Sequence, residues 1–276
     1  MPTVTIDGCK VEVDRDATIL DAAKKAGIWI PTLCYHPAVS SDASCRVCMV
    51  ELDRGKDRQL VTACNYPVRS GIVVYVSSQR AQQARRGVME LLLARAPESP
   101  ELWALAERMG VRETRYPKVT ECQRNCVLCG LCVRVCEQII GKSAIGYAGR
   151  GVDRTVAAPF RQPSEDCIGC GACAAVCPVG TIKVRIHEDE KEVEISPFKS
   201  RAKLLVCKEC GLPVVSIQVI EQVLDKVEKN LEELQEIVRL CPKCRKMKTA
   251  ARLEDATFNK EDSKTDADRQ IACRTK

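Results

Sequence analysis

The segment CVLCGLCVRVC (Cys126–Cys136) recurs later in the chain as CIGCGACAAVC (Cys167–Cys177). Both segments have the spacing C-x2-C-x2-C-x3-C, so the chain contains an internal repeat of one four-cysteine motif. Cysteines this dense on short segments are typical of metal ligands and not of a hydrophobic core. The repeat therefore predicts one domain that holds two related metal centres.

The ligand type and the spacing indicate which centres these are. Thiolates suit iron, and this spacing is that of bacterial [4Fe-4S] centres. When two such runs share a domain, the fourth cysteine of each run binds the cluster of the other run. We predict two [4Fe-4S] clusters on this pattern, with zinc as the alternative. The first central set is Cys126, Cys129, Cys132 and Cys177, and the second central set is Cys136, Cys167, Cys170 and Cys173.

The residues around the two runs fit this prediction with one departure. Gly130, Gly169 and Gly171 allow the backbone to approach a cluster closely. Pro178 follows the second run, whereas Glu137 follows the first. Because that proline chiefly directs the exit of the chain, we expect both clusters to bind. Between the runs, IGYAGRGVDRTVAAPF predicts a turn-rich hairpin and lacks the glycine order of a dinucleotide-binding motif.

The first eighty residues have the pattern of a small α+β domain. VTIDGCKVEV alternates as two strands joined at Asp7-Gly8. Thr18 can cap a helix over ILDAAKKA, which Gly27 would end. GIVVYV (Gly71–Val76) predicts a closing strand. This order of hairpin, helix, loop and strand is that of a β-grasp fold.

The loop of this domain carries the N-terminal set of cysteines, spaced C-x10-C-x2-C-x15-C: Cys34, Cys45, Cys48 and Cys64. Four thiolates on irregular backbone can hold a [2Fe-2S] cluster. The first spacing is longer than the plant-type spacing, and a structural zinc site is the alternative. His36 lies near Cys34, but no CxxH follows, so we expect His36 to be a structural loop residue.

Two further pairs, CKECG and CPKCR, form the C-terminal set: Cys207, Cys210, Cys241 and Cys244. Such pairs are typical of structural zinc, which we favour; a further iron-sulfur cluster and no metal are the alternatives. Between the pairs, apolar residues alternate by three and four and predict a helix: Ile220, Leu224, Val227, Leu231, Leu234 and Val238. One continuous helix would hold the pairs about 45 Å apart, so we expect a reversal near Lys229-Asn230.

Composition restricts the function classes. The odd number of cysteines, 19, without a secretory signal argues for metal in a reducing cytoplasm and against a disulfide framework. The net charge of +6 is spread along the chain, so we expect no nucleic-acid partner. No run approaches about 18 apolar residues, so we expect no membrane span. Cys9, Cys122 and Cys273 fall outside all four sets, and we expect them to be unliganded.

The loop sequence IPTLCYHPAVSSDASCRVCMVEL, followed by TACNYPVRSGIVV, resembles the N-terminal [2Fe-2S] region of the large iron-sulfur subunit of respiratory complex I. It also resembles the iron-sulfur subunits of NAD-linked hydrogenases and the N-terminal region of [FeFe]-hydrogenases. The resemblance spans roughly Val4 to Leu93. It implies a [2Fe-2S] domain that transfers electrons within a larger complex.

The stretch from Arg85 to Gly110 contains neither cysteine nor histidine. In the families that the chain resembles, this segment usually carries a histidine and three cysteines for one more [4Fe-4S] cluster. Here Ser99-Pro100 predicts the cap and first residue of a short amphipathic helix that ends at Gly110. The resemblance therefore does not transfer that cluster, and we predict a helical linker.

Together these patterns predict an α+β chain with five parts. They are a β-grasp [2Fe-2S] ferredoxin domain (1–78), a helical linker (79–118), a bacterial-type two-[4Fe-4S] ferredoxin domain (119–190), a C-terminal helical four-cysteine module (191–250) and a disordered tail (251–276).

The resemblance implies a non-catalytic electron-relay subunit of a soluble NAD(P)-linked oxidoreductase complex. Its expected partners are a flavin-bearing NAD(P)H-oxidising subunit and a catalytic subunit. We expect a [NiFe]-hydrogenase, in a complex that is compatible with electron bifurcation, and formate dehydrogenase next. The rival hypotheses are a free-standing ferredoxin-like carrier and a metal-stabilised regulatory module.

Overall fold

The computed structural model describes residues 1–55, 57–119, 125–226 and 236–253. The chain folds into two compact units. The first comprises Met1–Cys167, Gly171–Arg185 and Ile195–Ser200, and the second comprises Ile168–Cys170, Ile186–Glu194 and the residues from Arg201 onward. Within the described ranges, no helix combines the length and apolar character that crossing a lipid bilayer requires.

A five-stranded mixed sheet forms the N-terminal part of the first unit. Its strands are β1 (Thr3–Ile6), β2 (Cys9–Glu12), β3 (Met49–Asp53), β4 (Arg58–Thr62) and β5 (Val73–Tyr75), in the order β2-β1-β5-β3-β4. β1 runs parallel to β5, and the other neighbours are antiparallel. The predicted hairpin is confirmed: Asp7 and Gly8 both have positive φ, as a tight two-residue turn requires.

Helix α1 (Ile19–Lys25) supplies the helical layer of this domain. The Asp21 amide donates to Thr18 Oγ1 at 3.3 Å, and the Thr18 amide donates to Asp21 Oδ2 at 3.0 Å, which completes a capping box. Apolar side chains of the helix and sheet form one core in which Ile6, Ile19 and Leu52 are inaccessible to solvent. The hairpin, capped helix and closing strand are those of the predicted β-grasp domain.

Two helices follow, α2 (Gln79–Arg95) and α3 (Pro100–Arg108). The predicted cap of the second is confirmed, because Ser99 Oγ accepts a hydrogen bond from the Leu102 amide at 3.2 Å. Gly110 has φ of +74°, which suits the predicted end of the helix. α2 and α3 bury Met89, Leu93 and Leu102 in a second core of the first unit.

Each of the two cysteine runs contains a short helix. α4 (Leu131–Arg134) continues into a π-helical segment, Val135–Ile140, and α5 (Ala172–Ala175) packs on both. Between them, β6 (Gly146–Ala148) and β7 (Thr155–Ala157) pair antiparallel. The predicted hairpin between the runs is therefore confirmed.

The C-terminal part contains strands that were not predicted from the sequence. β8 (Lys183–His187), β9 (Glu192–Ser196), β10 (Ser200–Val206) and β11 (Pro213–Ser216) form a sheet in the order β11-β10-β9-β8. Alternating burial along SRAKLLV explains β10, because one face of that strand is covered. Helix α6 (Ile217–Lys226) and a helix over residues 242–253 provide the expected helical content.

The α+β fold class is confirmed, with strands added to the helical four-cysteine module. Some expectations lie outside the described residues: Val227, Leu231 and Leu234 of the apolar seam, the reversal near Lys229-Asn230, the spare cysteines Cys122 and Cys273, and residues 254–276 of the tail.

Candidate metal centres

The N-terminal set forms one buried group in the loop region of the β-grasp domain. The side chains of Cys34, Cys45, Cys48 and Cys64 are between 1% and 6% exposed. Hydrogen bonds from the thiols of Cys45 and Cys64 lower the pKa of Cys34 strongly, and a hydrogen bond from Cys64 lowers the pKa of Cys48 to about 7. The same contacts raise the pKa values of the two donors. All four sulfurs are therefore linked by direct contacts.

His36 stands beside this group without joining it. Its Nδ1 accepts a hydrogen bond from the Ala38 amide at 3.2 Å, which braces the loop locally. This contact agrees with the predicted structural role of His36. The donor set of the N-terminal set thus consists of four thiols, a composition that fits iron and its inorganic sulfide.

The first central set lines one cavity of about 50 Å³, which Cys126, Cys129, Cys132 and Cys177 all face. The chain thus brings Cys177 of the second run beside three cysteines of the first run, as the crossed pattern requires. Burial raises the pKa of Cys129 to about 12 and also raises the pKa values of Cys126 and Cys132. A bound cation would favour the thiolate forms and reverse these shifts.

The backbone follows the same path in both runs. Gly130 and Gly171, the residues before α4 and α5, have φ values of +73° and +71°. Two residues earlier, Leu128 and Gly169 also have positive φ, at +51° and +66°. Within the first run, the Leu128 amide donates to Cys126 Sγ at 3.4 Å. This path directs an amide at sulfur, an arrangement that suits a cluster ligand.

Gly169 and Leu128 occupy corresponding positions in the two runs, but only at residue 169 does close packing exclude a side chain. A Cβ at residue 169 would lie 2.6 Å from Val193 Cγ1 and 2.8 Å from Ala202 Cβ. The sheet of the second unit therefore closes against this backbone position. The left-handed conformation alone does not demand glycine, because Leu128 adopts it in the first run.

The cysteines of the second central set lie on different segments of the chain. Cys136 lies in the π-helical segment, Cys167 precedes the second run's left-handed turn, and Cys173 lies in α5. Cys170 is exposed, whereas the other three are partly buried. Glu137 lets the π-helical segment continue beyond Cys136 to Ile140, which a proline at that position would oppose. The departure at Glu137 is thus accommodated by a longer helical exit.

The C-terminal set is a tight cysteine group. The sulfurs of Cys207, Cys210, Cys241 and Cys244 all lie within 4.8 Å of one another, and Cys210 Sγ is 3.7 Å from Cys241 Sγ. Four sulfurs at about 2.3 Å from one tetrahedral metal stand about 3.8 Å apart. The ligands of a [4Fe-4S] cluster bind four different irons and must stand farther apart. The geometry therefore fits a single metal ion better than a further cluster.

Two turns of backbone shape this C-terminal group. Gly211, at φ of +71°, donates its amide to Cys207 O at 2.9 Å, and the Cys207 amide donates to Leu212 O at 2.8 Å. A hydrogen bond from the Cys241 amide, 3.3 Å from Cys207 Sγ, lowers the pKa of Cys207 to about 6. The contact with Cys241 raises the pKa of Cys244 to about 12. Backbone amides thus already favour one thiolate.

Family models match two cysteine-rich parts of the chain. Residues 1–79 match the 2Fe-2S iron-sulfur cluster binding domain, and residues 125–181 match the 4Fe-4S dicluster domain. The NADPH-Fe(3+) oxidoreductase subunit alpha of Geobacter sulfurreducens is 36% identical over 66% of this chain and 24% of its own length. The NADP-reducing hydrogenase subunit HndD of Solidesulfovibrio fructosivorans is 37% identical over 66% of this chain and 36% of its own length.

A third relative extends the match. An NADH-quinone oxidoreductase subunit of Rhizobium meliloti is 32% identical over 76% of this chain and 27% of its own length. The chain is a homologue of subunits of NAD(P)-linked oxidoreductases and hydrogenases. The chain spans between 24% and 36% of the length of these curated relatives.

Two cationic residues of this chain contact the cysteine loops, and neither contact was predicted from the sequence. Arg95 of α2 lines the cavity of the first central set and donates to Cys126 O at 3.0 Å. Arg134 of α4 is buried and donates to carbonyls of both the N-terminal and the first central loops. The burial of Arg134 could have been suspected from the sequence, because a charged residue between the ligand cysteines Cys132 and Cys136 has little room to reach solvent.

Proposed function

We propose that this chain is an iron-sulfur electron-relay subunit of a multisubunit NAD(P)-linked oxidoreductase. The observation that carries the proposal is a shared core. Cys34 and Cys45 of the N-terminal set and Cys129 of the first central set belong to one group of buried residues, against which Cys177 packs. Two cysteine sets joined by one buried core can pass electrons without a mobile carrier.

In this proposal the N-terminal set binds one [2Fe-2S] cluster, each central set binds one [4Fe-4S] cluster, and the C-terminal set binds one zinc ion. When bound, the clusters supply one-electron transfer at potentials that depend on hydrogen bonds, charge and exposure. The protein holds the thiolates, excludes water from the buried sets and directs amides at sulfur. The chain itself converts no substrate.

The proposed partners are a flavin-bearing NAD(P)H-oxidising subunit and a [NiFe]-hydrogenase subunit. Two relatives support the general placement, because one is a subunit of an NADP-reducing hydrogenase and another is a subunit of an NADPH-Fe(3+) oxidoreductase. The relay would connect the flavin to the hydrogen-converting centre.

Purification of the native complex through a tag on this chain tests the proposal. We expect co-purifying flavin and nickel proteins, and about ten irons on this chain, from one two-iron and two four-iron clusters. Molybdenum or tungsten in place of nickel would contradict the hydrogenase assignment and indicate a formate dehydrogenase. A redox-active monomer without partners would overturn the relay role and leave a free carrier.

Single substitutions assign the irons to the sets. Cys132→Ser and Cys173→Ser should each remove about four irons and one [4Fe-4S] signal in low-temperature EPR. Cys9→Ser is the matched control, because Cys9 is exposed on β2. Loss of iron in the Cys9 variant, or full iron in both other variants, would contradict the assignment.

A further inference from the structure

Arg134 is a buried cation between two candidate centres. It is the last residue of α4, and its side chain is only 7% exposed. A guanidinium keeps its charge in proteins, so its burial requires compensation from nearby groups. The groups around it therefore indicate what the charge is for.

The guanidinium binds carbonyl oxygens of both cysteine loops. Nη2 donates to Cys34 O at 2.8 Å and to Cys129 O at 3.2 Å. Nη1 donates to Ser40 O at 2.8 Å, in the long C-x10-C spacing of the N-terminal set. One side chain thus fastens a loop of the N-terminal set to a loop of the first central set, across about 100 residues of sequence.

These carbonyls satisfy the N–H groups but do not neutralise the charge. The ion pair with Asp42 is long, with 3.9 Å between Nη1 and Oδ2, and the Asp42 side chain is 55% exposed. Nε of Arg134 is buried and has no hydrogen-bond partner within the described residues. Exposed carboxylates at such a distance contribute little. The cysteine sets on either side carry thiolates when they bind iron, and their negative charge complements the guanidinium.

A neutral pair fastens the same loop. Gln138 Oε1 accepts from the Ser40 amide at 2.9 Å, and Gln138 Nε2 donates to Ser40 Oγ at 2.8 Å. Gln138 thus holds the loop in place without adding charge. The chain offers both a charged and an uncharged tether, which allows the two effects to be separated.

We propose that Arg134 is a positioning residue that couples the N-terminal and first central clusters electrostatically and raises both of their midpoint potentials. A reduced cluster carries one more negative charge than an oxidised one, so a buried cation favours reduction of each neighbour. The inference rests on the proposed function, because it requires bound clusters. It adds a shared control of two adjacent steps of the relay.

Arg134→Gln in the purified complex tests the inference through EPR-monitored redox titration. We expect downward shifts in the midpoint potentials of both the [2Fe-2S] and the first [4Fe-4S] centres. Arg134→Lys keeps the charge and should lie nearer the wild-type potentials. Gln138→Leu removes the neutral tether and should leave both potentials close to wild type.

Arg95→Gln is a one-site comparison, because Arg95 contacts Cys126 of the first central set. It should shift the [4Fe-4S] centre and leave the [2Fe-2S] centre unchanged. Unchanged potentials in Arg134→Gln with full iron content would overturn the inference, as would equal shifts in Gln138→Leu. If Arg134→Gln loses iron, Arg134→Lys and Arg134→Met are compared instead. Lower midpoint potentials in Arg134→Met than in Arg134→Lys would support the charge effect, and equal midpoint potentials in the two variants would overturn it. A wild-type chain without reducible clusters would instead refute the proposed function.

Discussion

The N-terminal and C-terminal cysteine sets are both compact, but they stand in different surroundings. Cys48 and Cys64 belong to a core that also contains the fully buried Ile6, Ile19 and Leu52. The buried C-terminal group consists of three cysteines and Leu240, with Val214 packed against it. In the first region an apolar core presents the ligands, and in the second the ligands make up most of their own buried group. Metal should therefore matter for the fold chiefly in the second.

Removal of the metal proposed for the C-terminal set should have the largest effect. Structural zinc sites contribute about 10–16 kcal/mol of apparent binding free energy, which is folding energy when the site forms only in the folded state. Cys241→Ser should lose the proposed zinc and make the segments around the C-terminal set sensitive to protease, while the β-grasp domain stays resistant. Metal analysis and limited proteolysis measure both effects.

The exposed Cys9 provides the control, since Cys9→Ser should keep the zinc and the wild-type proteolysis pattern. Protease resistance of the C-terminal region in metal-free Cys241→Ser would break the comparison, because it would show a fold that stands without its metal.

A cavity in the β-grasp core should have the next largest effect. Leu52 is 0% exposed in β3, and Leu52→Ala should lower the free energy of unfolding by about 2–5 kcal/mol. Denaturant titration followed by circular dichroism measures the loss. Leu91→Ala is the matched control, because Leu91 is 52% exposed and its truncation should cost less than about 0.5 kcal/mol. Equal losses in the two variants would contradict a core built on Leu52.

Two glycines with positive φ, one in each region, allow the two cysteine sets to be compared under similar backbone strain. Gly8 and Gly211 have φ of +88° and +71°, and an added Cβ would meet nothing within 4 Å at either position. Alanine should therefore cost about 1–2 kcal/mol of backbone strain in both. Gly211→Ala should weaken zinc binding, measured by competition with a chelator, because the turn at Gly211 shapes the ligand loop.

Gly8→Ala should lower the unfolding free energy of the β-grasp domain without changing its iron content, because Gly8 lies in the hairpin turn away from the cysteine loop. A loss of iron from that variant would show that the N-terminal set depends on local backbone as strongly as the C-terminal set does.

The smallest effect should come from the helix cap of the β-grasp domain. Thr18→Ala removes the side-chain acceptor for the Asp21 amide and should cost about 1 kcal/mol in unfolding free energy. Thr18→Ser keeps the hydroxyl and should recover most of that loss. Thermal unfolding with the cluster's visible absorbance as a second probe should show a lower melting temperature and an unchanged amount of bound cluster at 25 °C. If Thr18→Ser is as unstable as Thr18→Ala, the hydroxyl is not the cause.

Much of the fold was predictable where neighbours in sequence decide it. The hairpin at Asp7-Gly8, the caps at Thr18 and Ser99 and the hairpin between the runs depend on residues a few positions apart. The strands of the C-terminal part were missed. Their burial depends on which face the rest of the unit covers, and Gly169 illustrates this, because a Cβ at that position would collide with Val193 and Ala202.

The candidate sites also have features that local sequence decides and features that only the fold decides. Cysteine type and spacing, which the chain carries locally, already grouped the ligands, and the cavity around the first central set brings Cys177 to the three cysteines of the other run. The sequence left the metal of the C-terminal set open, because spacing along the chain does not determine the distances between sulfurs. The compact geometry, with 3.7 Å between Cys210 Sγ and Cys241 Sγ, came only with the fold.

The sequence by itself determined the number of cysteine sets, their ligand chemistry and the helical linker without ligands, because these follow from residue identity and short-range spacing. Tertiary structure alone decided that Arg134 reaches Cys34 and Cys129 together and that Gln138 holds Ser40. The contacts with Cys34 and Ser40 join residues about 100 positions apart, and they form only when packing excludes water and brings the two loops to one core.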